Sequence, residues 1–184
     1  MHSRCALLVL LLSLLFLSCG DDSTDRYAHI RAFLKFRPVT GVVPLYTAVN
    51  STGMFCTITL GTGTFQFRGS DGQQAIYPYS AEIKSYGQPE CVAGFVVGKP
   101  SVPDMNLQYP LLAYDLVCPN CYEQSNISRS LTLGANQTLT CPRCQRVYDL
   151  NNGGVITQGT EGKSLYQYRT CTYSSATDVL VVMN

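Results

Sequence analysis

The chain has 184 residues, 46% of them hydrophobic and only 14% charged, with a formal net charge of +1. So small a net charge leaves no electrostatic footprint for nucleic acid, and nucleic-acid binding is set aside. Twelve Tyr and seven Phe beside many Thr, Val and Gly favour pleated strands over helices, so the expected class is all-β, built on one core.

At the start, Met1 to Arg4 precede an apolar run from Cys5 to Leu17 that is broken only by Ser13. A short basic start followed by about a dozen apolar residues has the form of an export signal, and it is shorter than the ~20 residues of a membrane-spanning helix. Phe16-Leu17-Ser18-Cys19-Gly20 resembles the lipobox of bacterial lipoproteins, with Phe16 where Leu is most usual. That resemblance implies a signal peptide over 1–18, lipidation of Cys19 and an acidic, polar tether over 19–28. It also implies attachment to the membrane through the lipid on Cys19, in the envelope of a Gram-negative-type bacterium, on either face of the outer membrane. The alternative is an incidental cysteine beside an ordinary cleavage site.

Short apolar, β-branched segments then alternate with turn residues. Ile30 to Phe36, Val42 to Ala48, Phe55 to Leu60, Thr64 to Arg68, Ala75 to Tyr79, Val92 to Val97 and Leu111 to Leu116 read as strands. The breaks fall at Asn50 to Gly53, Gly61 to Gly63, Gly69 to Gly72 and Gly98 to Asp104. Ile30 to Phe36 also fits a helical turn. The run from Asp178 to Met183 reads as a last strand that closes a sheet. No G-x-S-x-G, no paired carboxylates on a common strand face and no histidine near a candidate nucleophile occur, so hydrolase chemistry lacks its parts.

Nine cysteines sort by place: Cys5 and Cys19 in and at the end of the signal, Cys56, Cys91 and Cys171 scattered, and four in two CPxC motifs. Cys118 and Cys121 are separated from Cys141 and Cys144 by nineteen residues. Two thiolates two residues apart reach one ion from a tight turn, and two such pairs at this separation form the pattern of a tetrahedral zinc site. Proline at the second position stiffens each turn and leaves the following amides free to face sulfur. An exported chain also meets oxidising machinery, so disulfides are the competing reading of these four. The scattered three read as small buried hydrophobes, or as one bridge and a free thiol.

The segments Ala113 to Pro119, Leu139 to Cys144, Tyr148 to Val155, Gly159 and Leu165 to Tyr168 resemble the cluster-binding part of Rieske-type proteins, over about residues 111 to 170. The resemblance implies an antiparallel β-sandwich over 29–184, with a base of 29–110 and 163–184 and a metal-binding insert of 111–162. It also places the Tyr148 hydroxyl near the metal-bound sulfurs, although beside a Gly turn a tyrosine satisfied by backbone is the simpler expectation. Asp149 is expected to accept backbone amides in a turn. Both positions where that family has histidine ligands hold cysteine here, Cys121 and Cys144, and His29 is far from either motif in sequence. A true Rieske centre is therefore not expected.

Two metals suit four thiolates, a structural zinc ion and an iron-sulfur cluster such as [2Fe-2S]. Exported iron-sulfur proteins usually carry a twin-arginine signal, and Arg4 is the only arginine in this one, so zinc is preferred. The leading expectation is a binding or structural module that meets an envelope protein partner and carries no catalysis. The alternative is an electron carrier with an iron-sulfur cluster on the same cysteines. A thiol-disulfide oxidoreductase needs a low-pKa cysteine at a helix N-terminus, and the β context expected around the Pro-containing motifs counts against it.

Overall fold

The alternating apolar segments form three antiparallel sheets in the computed structural model, which describes residues 27–184. The signal, Cys5, Cys19 and most of the tether lie outside the described residues.

The first sheet takes β1 (Phe33–Phe36), β11 (Thr170–Ser174) and β12 (Val179–Met183), in the order β1-β12-β11. The C-terminal strand is thus central, pairing Leu34 with Val182 on one side and Cys171 with Val182 on the other. The second sheet has five strands in the order β4-β3-β2-β5-β6, namely β2 (Met54–Gly61), β3 (Thr64–Gly69), β4 (Gln74–Pro78), β5 (Phe95–Lys99) and β6 (Leu112–Asp115). Gly63, at φ 70°, supplies the positive dihedral that the two-residue turn between β2 and β3 requires. The third and smallest sheet, between β6 and β11 in sequence, takes β7 (Thr132–Leu133), β8 (Thr138–Thr140), β9 (Val147–Asp149) and β10 (Val155–Gln158) in the order β10-β9-β8-β7.

Period-two alternation explains how the layers stack. On β2, β5 and β6, Cys56, Ile58, Phe95, Val97 and Ala113 face one core, together with Leu34 and Phe36 of β1 and Leu180 and Val182 of β12. Their neighbours Phe55, Val96 and Tyr114 face a second core with Leu116, Leu131, Leu133, Leu139, Tyr148 and Leu150. The five-stranded sheet is therefore the middle layer, closed by the three-stranded sheet on one face and the small sheet on the other. Phe36 meets Phe65, Phe67 and Tyr77 edge to face, with ring centroids 5.0 to 5.5 Å apart, an arrangement favoured by the ring quadrupoles.

One strand expected from sequence is a helix. Val43–Asn50 forms α1, where Val42 to Ala48 reads as extended by composition. Pro44 cannot donate to a strand ladder but fits a first helical turn, and Pro44, Leu45, Ala48 and Val49 fall on one buried helical stripe. The ambiguous segment before it resolves as a strand, because β12 offers Phe33 to Phe36 a complete ladder. Two short helices carry no periodic signal in the sequence: α2 (Ala81–Ser85), capped by the Ser80 side chain on the Ile83 amide, and α3 (Pro119–Ser125). No helix among the described residues is long and apolar enough to cross a membrane.

Candidate metal centre

The polypeptide leaves β6 through Asp115, which holds the entry to the first motif in place. Its carboxylate accepts the amides of Val92 (2.7 Å), Ala93 (3.2 Å) and Val117 (2.7 Å) and the hydroxyl of Tyr168 (2.5 Å). Cys118 then stands in extended conformation at the start of α3, Pro119 opens the helix, and Cys121 sits in its first turn. The second motif is the tip of the hairpin between β8 and β9, where the Cys141 amide donates to the Arg146 carbonyl at 2.9 Å and the Gln145 amide to the Cys141 carbonyl at 3.0 Å.

These two turns bring the four sulfurs together, all within 4.8 Å of one another. Cys118 Sγ lies 3.7 Å from Cys144 Sγ and Cys121 Sγ lies 3.8 Å from Cys141 Sγ. Four thiolates at ~2.3 Å from one tetrahedral ion stand ~3.8 Å apart, so the group has the spacing to hold a metal ion. Cys118, Cys121 and Cys141 are buried and Cys144 is half-buried. The Cys144 amide faces Cys141 Sγ at 3.5 Å, the amide-to-sulfur contact expected of a proline-stiffened knuckle.

Polar side chains enclose the thiols on the other sides. The Tyr148 hydroxyl lies 3.1 Å from Cys118 Sγ and accepts from Asn120 Nδ2 at 3.0 Å, which leaves its proton for the sulfur. Backbone does not satisfy this tyrosine; the sulfur contact implied by the family resemblance is the one found. Asn120 also clamps Lys163, donating to its carbonyl and accepting from its amide, both at 2.9 Å. Gly162 makes this clamp possible, since a Cβ there would collide with the Asn120 amide. Arg146 ties the same strap, donating to the carbonyls of Thr160 (2.8 Å) and Glu161 (3.3 Å).

The surroundings split the thiols electrostatically. Burial opposes the Cys144 thiolate, but the Arg146 amide and guanidinium together with the Cys141 and Cys118 thiols outweigh it and bring the group down to about 6. Burial and the three neighbouring thiols push Cys121 up to about 12, and burial also raises Cys118. A cation bound here would displace protons from the raised members.

The cysteines outside the motifs stay apart from this site. All seven described cysteines are free, so no disulfide joins the four thiols or bridges Cys56, Cys91 and Cys171. Cys56 is fully buried in the first core, against which Cys91 and Cys171 pack as small hydrophobes. Burial lifts the thiol of Cys91 to about 12. His29 is not one of the clustered ligands. Asp149 builds its turn as expected, accepting the Asn151 amide at 2.8 Å. The β context expected for the first motif is corrected, because Cys118 opens a helix; its thiol is nonetheless raised, the reverse of a redox nucleophile. Asn120 and Arg146 carry no sequence signal of their own. Their roles come from the strap at 160–163, which only the tertiary fold brings to the motifs.

Gln145 closes the second knuckle at φ 58°, a left-handed conformation that glycine adopts without penalty. Gln145→Gly is expected to stabilise the protein by about 1 kcal/mol, read as a higher urea midpoint at unchanged slope. No family model matches the chain, and no curated protein matches it significantly.

Proposed function

We propose that this chain is a lipid-anchored protein of the bacterial cell envelope whose four cysteines, Cys118, Cys121, Cys141 and Cys144, hold one structural zinc ion in a Rieske-like β-domain. The observation that carries the metal reading is the mutual approach of the four sulfurs, within 4.8 Å for every pair. One tetrahedral ion needs that compactness. A [2Fe-2S] cluster divides its four thiolates between two irons, so sulfurs on opposite irons stand further apart than sulfurs on the same one. When bound, zinc supplies charge neutralisation and a cross-link, and no redox chemistry. The residues around it do the rest: Tyr148 and the Cys144 amide donate to sulfur, while Asn120 and Arg146 bind the 160–163 strap over the knuckles.

The anchoring reading rests on the apolar run, the Cys19 lipobox and the acidic tether, which together favour the outer membrane of a Gram-negative-type envelope. The partner is then another envelope protein, with the domain serving as a rigid presenting module. The alternative, an iron-sulfur electron carrier on the same cysteines, draws support from the Tyr148 hydroxyl on Cys118 Sγ, a contact that tunes a cluster as readily as it orients a zinc ligand.

Elemental analysis and a visible spectrum of protein purified without air test this. The expected result is one zinc per chain and a colourless solution; iron with acid-labile sulfide and a brown colour would select the electron carrier. Protein with neither metal nor free thiols would overturn the site itself.

A further inference from the structure

The segment joining β5 to β6, along the edge of the middle sheet, departs from the rest of the surface. Val102 is 57% exposed, Met105 102%, Leu107 79% and Tyr109 44%, four large apolar side chains within eight residues. Scattered exposed hydrophobics are ordinary on a soluble protein, but four carried by one short loop make that loop a candidate contact surface. The backbone that carries them is fixed. Asp104 Oδ1 accepts the amides of Asn106 and Gln108, both at 2.9 Å, the Asp104 amide donates to the Gln108 carbonyl at 2.8 Å, and Pro100, Pro103 and Pro110 restrict the flanks. A loop so tied loses little conformational entropy on docking, which makes its apolar tips effective in binding.

The course of the chain says what covers it. The described residues begin at Tyr27, and Tyr27 lines the same cavity, about 1150 Å³, as Val102, Pro103, Asp104 and Met105. Tyr27 is held there by a parallel bridge to Gln167 and by the Ala28 amide donating to the Gln167 carbonyl at 3.0 Å. Only seven residues separate it from Cys19, a reach of at most ~28 Å when fully extended. A lipid on Cys19 would therefore keep the bilayer within one short tether of this loop. No Lys or Arg lies between Pro100 and Pro110, and the one charge, Asp104, is spent on the turn. Such a loop suits the apolar side of a membrane interface rather than an acidic partner, with Tyr109 suited to the headgroup level.

We propose that the loop from Val102 to Tyr109 dips into the lipid bilayer and fixes how the domain stands on the membrane. The proposal rests on the reading that Cys19 is lipidated, and the experiment separates the two. The sequence has no Trp, so Met105→Trp, or Val102→Trp as a second site, gives a single reporter in the full chain, exported with its own signal by a bacterium that acylates lipoproteins and then mixed with phosphatidylcholine vesicles. Ile76→Trp is the control, because Ile76 is 72% exposed on β4, the opposite edge strand of the same sheet. The expected result is co-flotation with vesicles, with emission from either loop reporter quenched roughly twofold by bromine-labelled lipid and the Ile76→Trp reporter unquenched. Adding anionic lipid or salt leaves the quenching unchanged. Flotation without loop quenching, or equal quenching at both edges, overturns the membrane contact alone, the first leaving the loop to a protein partner. Failure to float overturns the anchor and the contact with it.

Discussion

On the zinc reading proposed above, Cys141→Ser is expected to abolish metal retention and to cost about 5 kcal/mol of stability. Serine offers no thiolate, three ligands do not close a structural site, and the cross-link that an ion makes between the two motifs is lost. The loss should also be uneven. Cys118, Cys121 and Cys141 are part of the second core with Leu131, Leu139, Tyr148 and Leu150, whereas the first core contains none of the four clustered cysteines. Amide hydrogen exchange should therefore show β7 to β10 deprotected while β2, β5 and β12 keep their protection. Uniform loss across all three sheets would mean that the small sheet does not open separately from the base.

The second large effect concerns Asp115, a fully buried carboxylate. Asp115→Ala strands the amides of Val92, Ala93 and Val117 and the Tyr168 hydroxyl with no acceptor. About 4 kcal/mol is the expected cost, read as a lower denaturant midpoint. Asp115→Asn keeps one acceptor oxygen and should recover part of it. The pH dependence gives a further check. Burial outweighs the four donors and holds the Asp115 pKa above its ordinary value of 3.8, so the folded chain binds this proton more tightly than the unfolded one. Its contribution to stability then falls as pH rises from the ordinary carboxylate range through the raised value. Asp115→Asn should remove that slope.

The strands were legible where composition and turn chemistry agreed. Thr64 to Arg68 is a run of alternating burial bounded by Gly61 to Gly63 and Gly69 to Gly72, and it is β3 almost residue for residue. Val42 to Ala48 misled because β-branched composition hid the stripe of Pro44, Leu45, Ala48 and Val49, and the placement of Pro44 outweighed it. The clustering of Cys118, Cys121, Cys141 and Cys144 was legible because their spacing encodes their geometry. Asp115 was not, since an aspartate after Ala113-Tyr114 looks the same in sequence whether it faces water or four buried donors. Asn120 and Arg146 were hidden for a similar reason: each is defined by carbonyls fourteen to forty-three residues away.

The position of the last strand has a consequence for how the protein is made. Phe33 pairs with Met183, so β1 finds its ladder on β12, which follows every other described strand in sequence. A polypeptide that emerges amino end first must hold the Leu34 and Phe36 side chains without that partner until β12 has been made. The first core closes late, and deleting β12 would leave β1 and β11 without their shared partner at once.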